Sequence, residues 1–307
     1  MRAVAIYEFG ARPTLADLPV PEPGPGEVLV RVRASSINGF DASVAAGRTK
    51  GMMEHRFPVV LGKDFSGTVE ALGEGASRFA VGDAVFGVVM KPILGDGAFG
   101  EYLAVSERYG IARVPDGLDL AAAGALGLAG TTAVNAVDAV APRSGETVLI
   151  CGATGGVGAI AIQYVAPSGA RVIATARPGP GAEFVRDLGA DLVVDHTGDL
   201  ADQIRTAAPE GVSAVVHLAG DGARLVDLLA AGGRLASTLG FGPDQHPAAI
   251  AIMANPDTTT LDRLAADAVA GRLRVPITRN YELANVPGAL ADFTGGGILG
   301  KLAVTVF

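Results

Sequence analysis

Residues 148–158 read VLICGATGGVG, a short apolar run that breaks into close-set glycines and passes into a helical pattern over 157–165. A strand, a glycine loop and a helix in that order aim backbone N–H groups, with the positive end of the helix dipole, at an anion. Gly155 is read as the tight turn and Gly156 as the point where backbone meets a pyrophosphate. Val157 follows on the same anion-facing turn, and Gly158 lets the helix pack against the sheet. The spacing Gly152-x-x-Gly155-x-x-Gly158 departs from strict GxGxxG, so the context around it has to decide.

Further apolar runs follow at 171–175, 192–194, 214–216 and 234–237, with helical patterns at 182–188, 200–207 and 223–231. Strand and helix alternate at the spacing of right-handed crossovers in a parallel sheet buried on both faces. This predicts an α/β fold with a doubly wound Rossmann domain over 118–246. An NAD site keeps a carboxylate at the end of the second strand for the ribose hydroxyls. Here that end reads Ala174-Thr175-Ala176-Arg177, and the first acidic residue beyond it is Glu183. Without the carboxylate a 2′-phosphate is not repelled, and a guanidinium can bind one through two N–H groups. NADP(H) is therefore expected over NAD(H), with Arg177 as the phosphate ligand. The other reading of Arg177 is a solvated loop arginine.

A length of 307 residues suggests two domains, and 43 glycines suit a fold of tight turns. The net charge of −8 weighs against a nucleic-acid partner. The N-terminal MRAVAIYEFG lacks the apolar core of a secretion signal, and no 18-residue apolar run offers a membrane span. A cytoplasmic protein is expected. Cys151 is the single cysteine, which excludes an internal disulfide, a four-cysteine zinc lobe and a CxxC pair. His55, His196, His217 and His246 show no ligand-like spacing, so no metal site is expected.

The first 115 residues have a different texture. Val28, Val30 and Val32 alternate with Leu29, Arg31 and Arg33, the period of a strand with one face in a core. More strands are expected at 65–71, 84–89 and 101–105, and a helix at 130–139. Beyond residue 247 the alternation fades into helices at 259–270 and 286–293 and a strand at 301–307. Residues 1–117 and 247–307 are thus expected to form one discontinuous, mainly antiparallel β domain.

The segments LGKDFSGTVEALGEGASRFAVGDAVFG (61–87), GAFGEYLAV (97–105), AGTTAV (129–134), GATGGVGAIAIQ (152–163), LGADLVVD (188–195), GGRLAST and the terminal GKLAV follow one another in order. In that order they resemble the zinc-independent, quinone oxidoreductase-like branch of the medium-chain dehydrogenase/reductases, over nearly the whole chain. The resemblance implies a GroES-like β domain beside the nucleotide domain. The stretches Ile37-Asn38-Gly39-Phe40-Asp41 and Gly62-Lys63-Asp64 stand where zinc-dependent relatives carry their ligands, and neither offers a set.

The same resemblance implies catalytic roles for Asn38 and Asp41, which match an Asn-x-x-Asp beside nicotinamide and substrate; the alternative is that both cap a short helix. Lys63 replaces a zinc-ligand histidine and either stabilises an enolate or snorkels to solvent. Thr131 resembles a nicotinamide-side threonine, and His196 stands where relatives carry a tyrosine near the adenosine phosphate, or is an ordinary surface histidine. Ala219 and Gly220, with Leu239, Gly240 and Phe241, end the fourth and fifth strands, where the nicotinamide half is expected. Ser43 replaces a tyrosine common in the family, and 178–181 lacks its lysine.

Reducing an isolated ketone without a metal leaves its oxygen poorly polarised, whereas a quinone or conjugated C=C delocalises the incoming charge. The expected activity is NADPH-dependent reduction of a quinone or an α,β-unsaturated carbonyl. The rivals are an enoyl reductase on a biosynthetic thioester or enal, and a non-catalytic NADPH-binding structural or regulatory protein. A homodimer is expected from the family, with 250–253 as the candidate edge strand.

Overall fold

A computed structural model describes residues Met1–Phe307 and divides them into two compact units. One comprises Met1–Leu128 with Pro256–Phe307, the other Ala129–Asn255.

The second unit holds a six-stranded sheet in the order Leu192–Val194, Arg171–Thr175, Thr147–Cys151, Val212–His217, Leu229–Ser237 and Ala249–Ala251. Every neighbouring pair is parallel. Val148, Leu149 and Ile150 are fully buried, as are Val172, Ile173, Val215 and Val216, so successive side chains on both faces meet packed helices. The strand order reverses between Thr147–Cys151 and Val212–His217, the switch point outside whose carboxyl ends such sheets bind ligands.

One expected element is corrected. The helix anticipated over 223–231 ends at Val226, and the strand Leu229–Ser237 begins three residues later. Leu228 turns into the core at 4% exposure, and its carbonyl accepts from Val212 N–H at 2.9 Å. Sheet pairing outweighs the helix propensity of an Ala/Leu-rich run.

The first unit is built on a seven-stranded sheet with the path Ile111–Arg113, Ala84–Val88, Asp64–Leu72, Glu27–Ser36, Lys301–Thr305 and Ile277–Glu282; Tyr102–Ser106 also pairs with Glu27–Ser36. All these pairings are antiparallel except the last two strands of the path. Val28, Val30 and Val32 point into a core with Phe65, Phe99 and Leu103. Smaller strands at Arg2–Ile6 and Thr14–Asp17, with Val59–Val60, form a separate three-stranded sheet that the sequence reading missed. The C-terminal strand lies antiparallel to Glu27–Ser36, with Ala303 opposite Ser36. That register carries Lys301 to the segment Ile37–Asn38. The doubly wound parallel unit and the mainly antiparallel unit are the expected fold class.

Candidate active site

In the second unit the strand Thr147–Cys151 runs into Gly152, whose φ of +81° is the left-handed conformation that glycine adopts without strain. The tight turn therefore lies at Gly152 rather than at Gly155. Gly155 is extended (φ −76°, ψ 172°) and is the N-cap of the helix Gly156–Val165, its N–H closing the turn onto Gly152 O at 3.2 Å. No side chain caps this helix, which leaves its first turn, Gly156 and Val157 included, to face an anion. A Cβ on Gly158 would lie 2.3 Å from Gly152 O, so only glycine lets the helix approach the loop this closely. Cys151, at the mouth of the loop, is buried, and desolvation pushes its thiol up to about 12; it is an inert apolar packer.

Beside this loop, at the carboxyl ends of the strands, a cavity of about 670 Å³ is lined by Gly152, Thr175, His196, Leu200 and Gly220 among others. Three of the sequence-derived cofactor residues, His196, Ala219 and Gly220, meet there. Arg177, Leu239, Gly240 and Phe241 are not among its lining residues; Arg177 is exposed just past the strand Arg171–Thr175. Asp195 is held below the usual carboxylate range, first by hydrogen bonds from Thr197 N–H and Oγ, with smaller contributions from the charges of His196 and Arg177. Thr131, on the helix Gly127–Val140, is fully buried, and its Oγ1 has no hydrogen-bond partner within the chain. An orphaned buried hydroxyl is costly unless something outside the chain satisfies it.

The first unit carries a different kind of site. Asn38 is the N-cap of the short helix Gly39–Ala45, and Asp41 at its third position reaches back to accept from Asn38 N–H at 2.8 Å. The capping reading of this pair therefore holds. The Asn38 amide is also satisfied: Nδ2 donates to Asp64 Oδ2 at 2.8 Å and Ser36 O at 3.3 Å, and Oδ1 accepts from Lys301 Nζ at 2.6 Å. Both amide hydrogens are engaged inside the unit, where Asn38 joins Asp41 to the Asp64–Lys301 pair.

Asp64 is the hub. Its Oδ2 also accepts from Ser36 Oγ at 2.5 Å and pairs with Lys301 Nζ at 3.3 Å, while Oδ1 accepts from Leu128 N at 2.6 Å. Asp64 and Lys301 expose 0% and 3% of their side chains, so this is a buried ion pair with its remaining polar atoms satisfied. Asp41, 2% exposed, has its carboxyl raised to about 7. Burial is the main cause and the nearby Asp64 charge adds to it; the Asn38 N–H, Lys301 and Lys63 oppose it. Lys63 is shifted down by desolvation, against the pull of Asp41 and Asp64. Its ammonium donates to Val89 O and stands 4.9 Å above the Phe40 ring. Asp41 and Lys63 share the lining of a cavity of about 20 Å³. Lys301 was missed from the sequence, although GKLAV had been singled out as a motif.

Two family models match the chain: an alcohol dehydrogenase GroES-like domain over residues 24–116, and a zinc-binding dehydrogenase over 156–263. The chain is 31% identical over 243 residues to the quinone oxidoreductase of Homo sapiens, covering 76% of this chain and 72% of that one. It is 34% identical to a mycocerosic acid synthase-like polyketide synthase of Mycobacterium tuberculosis, over 92% of this chain but only 14% of that one. Among solved structures, the quinone oxidoreductase from Coxiella burnetii superposes with a TM-score of 0.90 at 28% identity, over 100% of this chain and 99% of that one. A mycobacterial protein complexed with NADPH gives 0.86 at 27% identity, with full coverage of both chains. The chain belongs to the medium-chain dehydrogenase/reductase family, in its quinone oxidoreductase-like branch.

That family uses a nicotinamide cofactor, and the second unit fits one: an uncapped glycine N-terminus, a cavity at the switch point and the orphaned Thr131 hydroxyl. No group of three or more His, Cys, Asp or Glu side chains could hold a metal ion. No helix is long and apolar enough to cross a membrane.

Proposed function

We propose that this chain is an NADPH-dependent, zinc-independent reductase acting on a quinone or on the activated C=C of an α,β-unsaturated carbonyl. The observation that carries the reading is the end of the strand Arg171–Thr175. No carboxylate follows it until Glu183, and Arg177 stands exposed immediately beyond it. The uncapped turn at Gly155, Gly156 and Val157 binds the pyrophosphate, Arg177 the 2′-phosphate, and His196 assists at the adenosine end. Thr131, with the loops at Ala219–Gly220 and Leu239–Phe241, orients the nicotinamide. When bound, the cofactor supplies hydride.

The chain's own contribution is electrostatic. Lys63 has donors beyond the one given to Val89 O and stabilises negative charge developing on the acceptor oxygen. Asp41, poised near neutrality, sets the charge around Lys63. Asn38 holds Asp41 and the Asp64–Lys301 pair in register. The edge strand Ala249–Ala251, with Ile250 and Met253 exposed, is the surface for a homodimer. The likeness to a segment of a polyketide synthase favours a second reading, an enoyl reductase on a biosynthetic thioester.

The test is oxidation of NADPH and of NADH with 1,4-benzoquinone, with a cyclic enone and with an enoyl thioester, each with and without chelator. Chelator-resistant turnover that prefers NADPH is expected, and the thioester outrunning both small acceptors would select the second reading. Binding of NADPH without turnover of any acceptor would contradict an enzymatic role and leave a nucleotide-binding protein.

A further inference from the structure

His217 ends the strand Val212–His217 at the switch point, in register with Cys151 on one side and Ser237 on the other. It is 2% exposed and takes no part in the roles assigned above. Both ring nitrogens are engaged. Nε2 lies 3.2 Å from Gly220 O, and Nδ1 lies 3.0 Å from Ser237 Oγ. A carbonyl only accepts, so Nε2 carries a proton, and Nδ1 pairs with the Ser237 hydroxyl, which can donate or accept. Ser237 Oγ in turn accepts from Leu239 N at 3.1 Å. One imidazole therefore holds two loops that leave adjacent strands: the first through the Gly220 carbonyl, the second through Ser237 and the Leu239 amide.

Aromatic packing ties the same two loops. The Phe241 ring stands edge-on to His217, with centroids 6.3 Å apart and an interplanar angle of 83°. Phe241 also covers Gly222, where a Cβ would lie 2.6 Å from the ring. The loops themselves are open: Gly220 (φ +93°) and Gly240 (φ +76°) are left-handed glycines, and Leu239 is 54% exposed. Ala219 and Gly220 line the 670 Å³ cavity. A buried side chain that spends both nitrogens on two exposed, glycine-bearing loops restrains the cavity wall more than it fills core.

We propose that His217 is a positioning residue for the nicotinamide nucleotide: its ring clamps the loops at Ala219–Gly220 and Leu239–Phe241 in their binding geometry before the nucleotide arrives. The inference rests on the cofactor reading above. Pre-ordering the loops removes an entropic cost that binding would otherwise meet.

The test pairs amide hydrogen exchange, on the full chain without nucleotide, with NADPH affinity by fluorescence titration, for His217→Leu, His217→Gln and Ser237→Ala. His217→Leu loses both arms. Exchange should quicken over 218–222 and 238–242 but not over the helix Gly156–Val165, and the NADPH Kd should rise about tenfold, the worth of a buried hydrogen bond or slightly more. In His217→Gln the amide N–H takes over donation to Gly220 O, so 218–222 should regain protection while 238–242 stays fast. Ser237→Ala should free 238–242 alone. A merely structural histidine would lower the melting temperature without this split between loops.

Unchanged exchange in both loops, or an unchanged Kd in a folded His217→Leu protein whose loops have loosened, would overturn the proposal. If His217→Leu does not fold, the opposite loop patterns of His217→Gln and Ser237→Ala decide. Failure of the unaltered protein to bind NADPH would refute the cofactor reading instead, with the exchange pattern still judging the clamp.

Discussion

The two units solve the problem of buried polarity in opposite ways. In the mainly antiparallel unit, charge is buried and paired: Asp64 collects four donors, Lys301 is one of them, and Asn38 joins both. In the parallel unit the charged residues that line the cavity, Asp199, Asp221 and Arg224, are exposed rather than buried in a network. That unit presents backbone N–H groups at a glycine turn, a buried imidazole and an orphaned threonine hydroxyl. The contrast follows from what each must do. A buried ion network with every partner present keeps its residues in one arrangement, whereas a dinucleotide's phosphates bring their own charge and need donors left free to meet it. Polar atoms satisfied within the chain hold the antiparallel cluster together, and on the proposed reading the free donors of the glycine turn meet the ligand.

Breaking the ion network should have the largest effect. Lys301→Met leaves Asp64 buried without its ion-pair partner and is expected to cost about 3–5 kcal/mol in urea unfolding. A loss below about 1 kcal/mol, the range of surface pairs, would show that the network contributes little. Gly158→Ala comes next. Its Cβ collides with backbone rather than with a mobile side-chain end, and a cost of about 1–3 kcal/mol is expected, with loss of NADPH binding because the helix must move off the loop. If the variant keeps stability and affinity, the close approach of helix and loop is not what shapes the phosphate site.

The smallest effect sharpens the contrast through pH. Asp41 titrates near 7 in the folded chain against about 3.8 unfolded, so the folded state holds this proton more tightly. Its contribution to stability is full below the unfolded value and is lost as pH rises through about 7. Asp41→Asn keeps an oxygen for the Asn38 N–H but cannot ionise. Melting temperatures measured from pH 5 to pH 8 should therefore fall less steeply for the variant than for the unaltered protein. Parallel curves would mean that Asp41 is ionised across the whole range.

The parallel unit was the more legible of the two. Its continuous apolar runs and glycine loop are local signals, and the expected strands at 171–175 and 192–194 match the observed Arg171–Thr175 and Leu192–Val194. Errors arose where tertiary pairing overrode a local pattern, as when Leu228 entered the core and cut the helix expected to reach residue 231. The antiparallel site was less legible because its logic is non-local. Lys301 meets Asp64 across 237 positions, and a lysine opening a terminal strand reads locally as a solvated charge. Asn38 was noticed, but its partners Asp64 and Lys301 were not. The signal that could have found Lys301 was its place in GKLAV, opposite a strand ending in Ser35-Ser36, with an acidic Asp64 already in view.

The central claim is that free donors in the parallel unit await a 2′-phosphorylated nucleotide, and the most direct measurement is the ratio of NADPH to NADH dissociation constants for the unaltered chain and for Arg177→Ala. The unaltered chain is expected to bind NADPH more tightly, and Arg177→Ala to lose about tenfold or more of that preference, the worth of a charge-assisted contact, with NADH affinity unchanged. Equal binding of the two nucleotides, or a preference that survives the loss of Arg177, would contradict it.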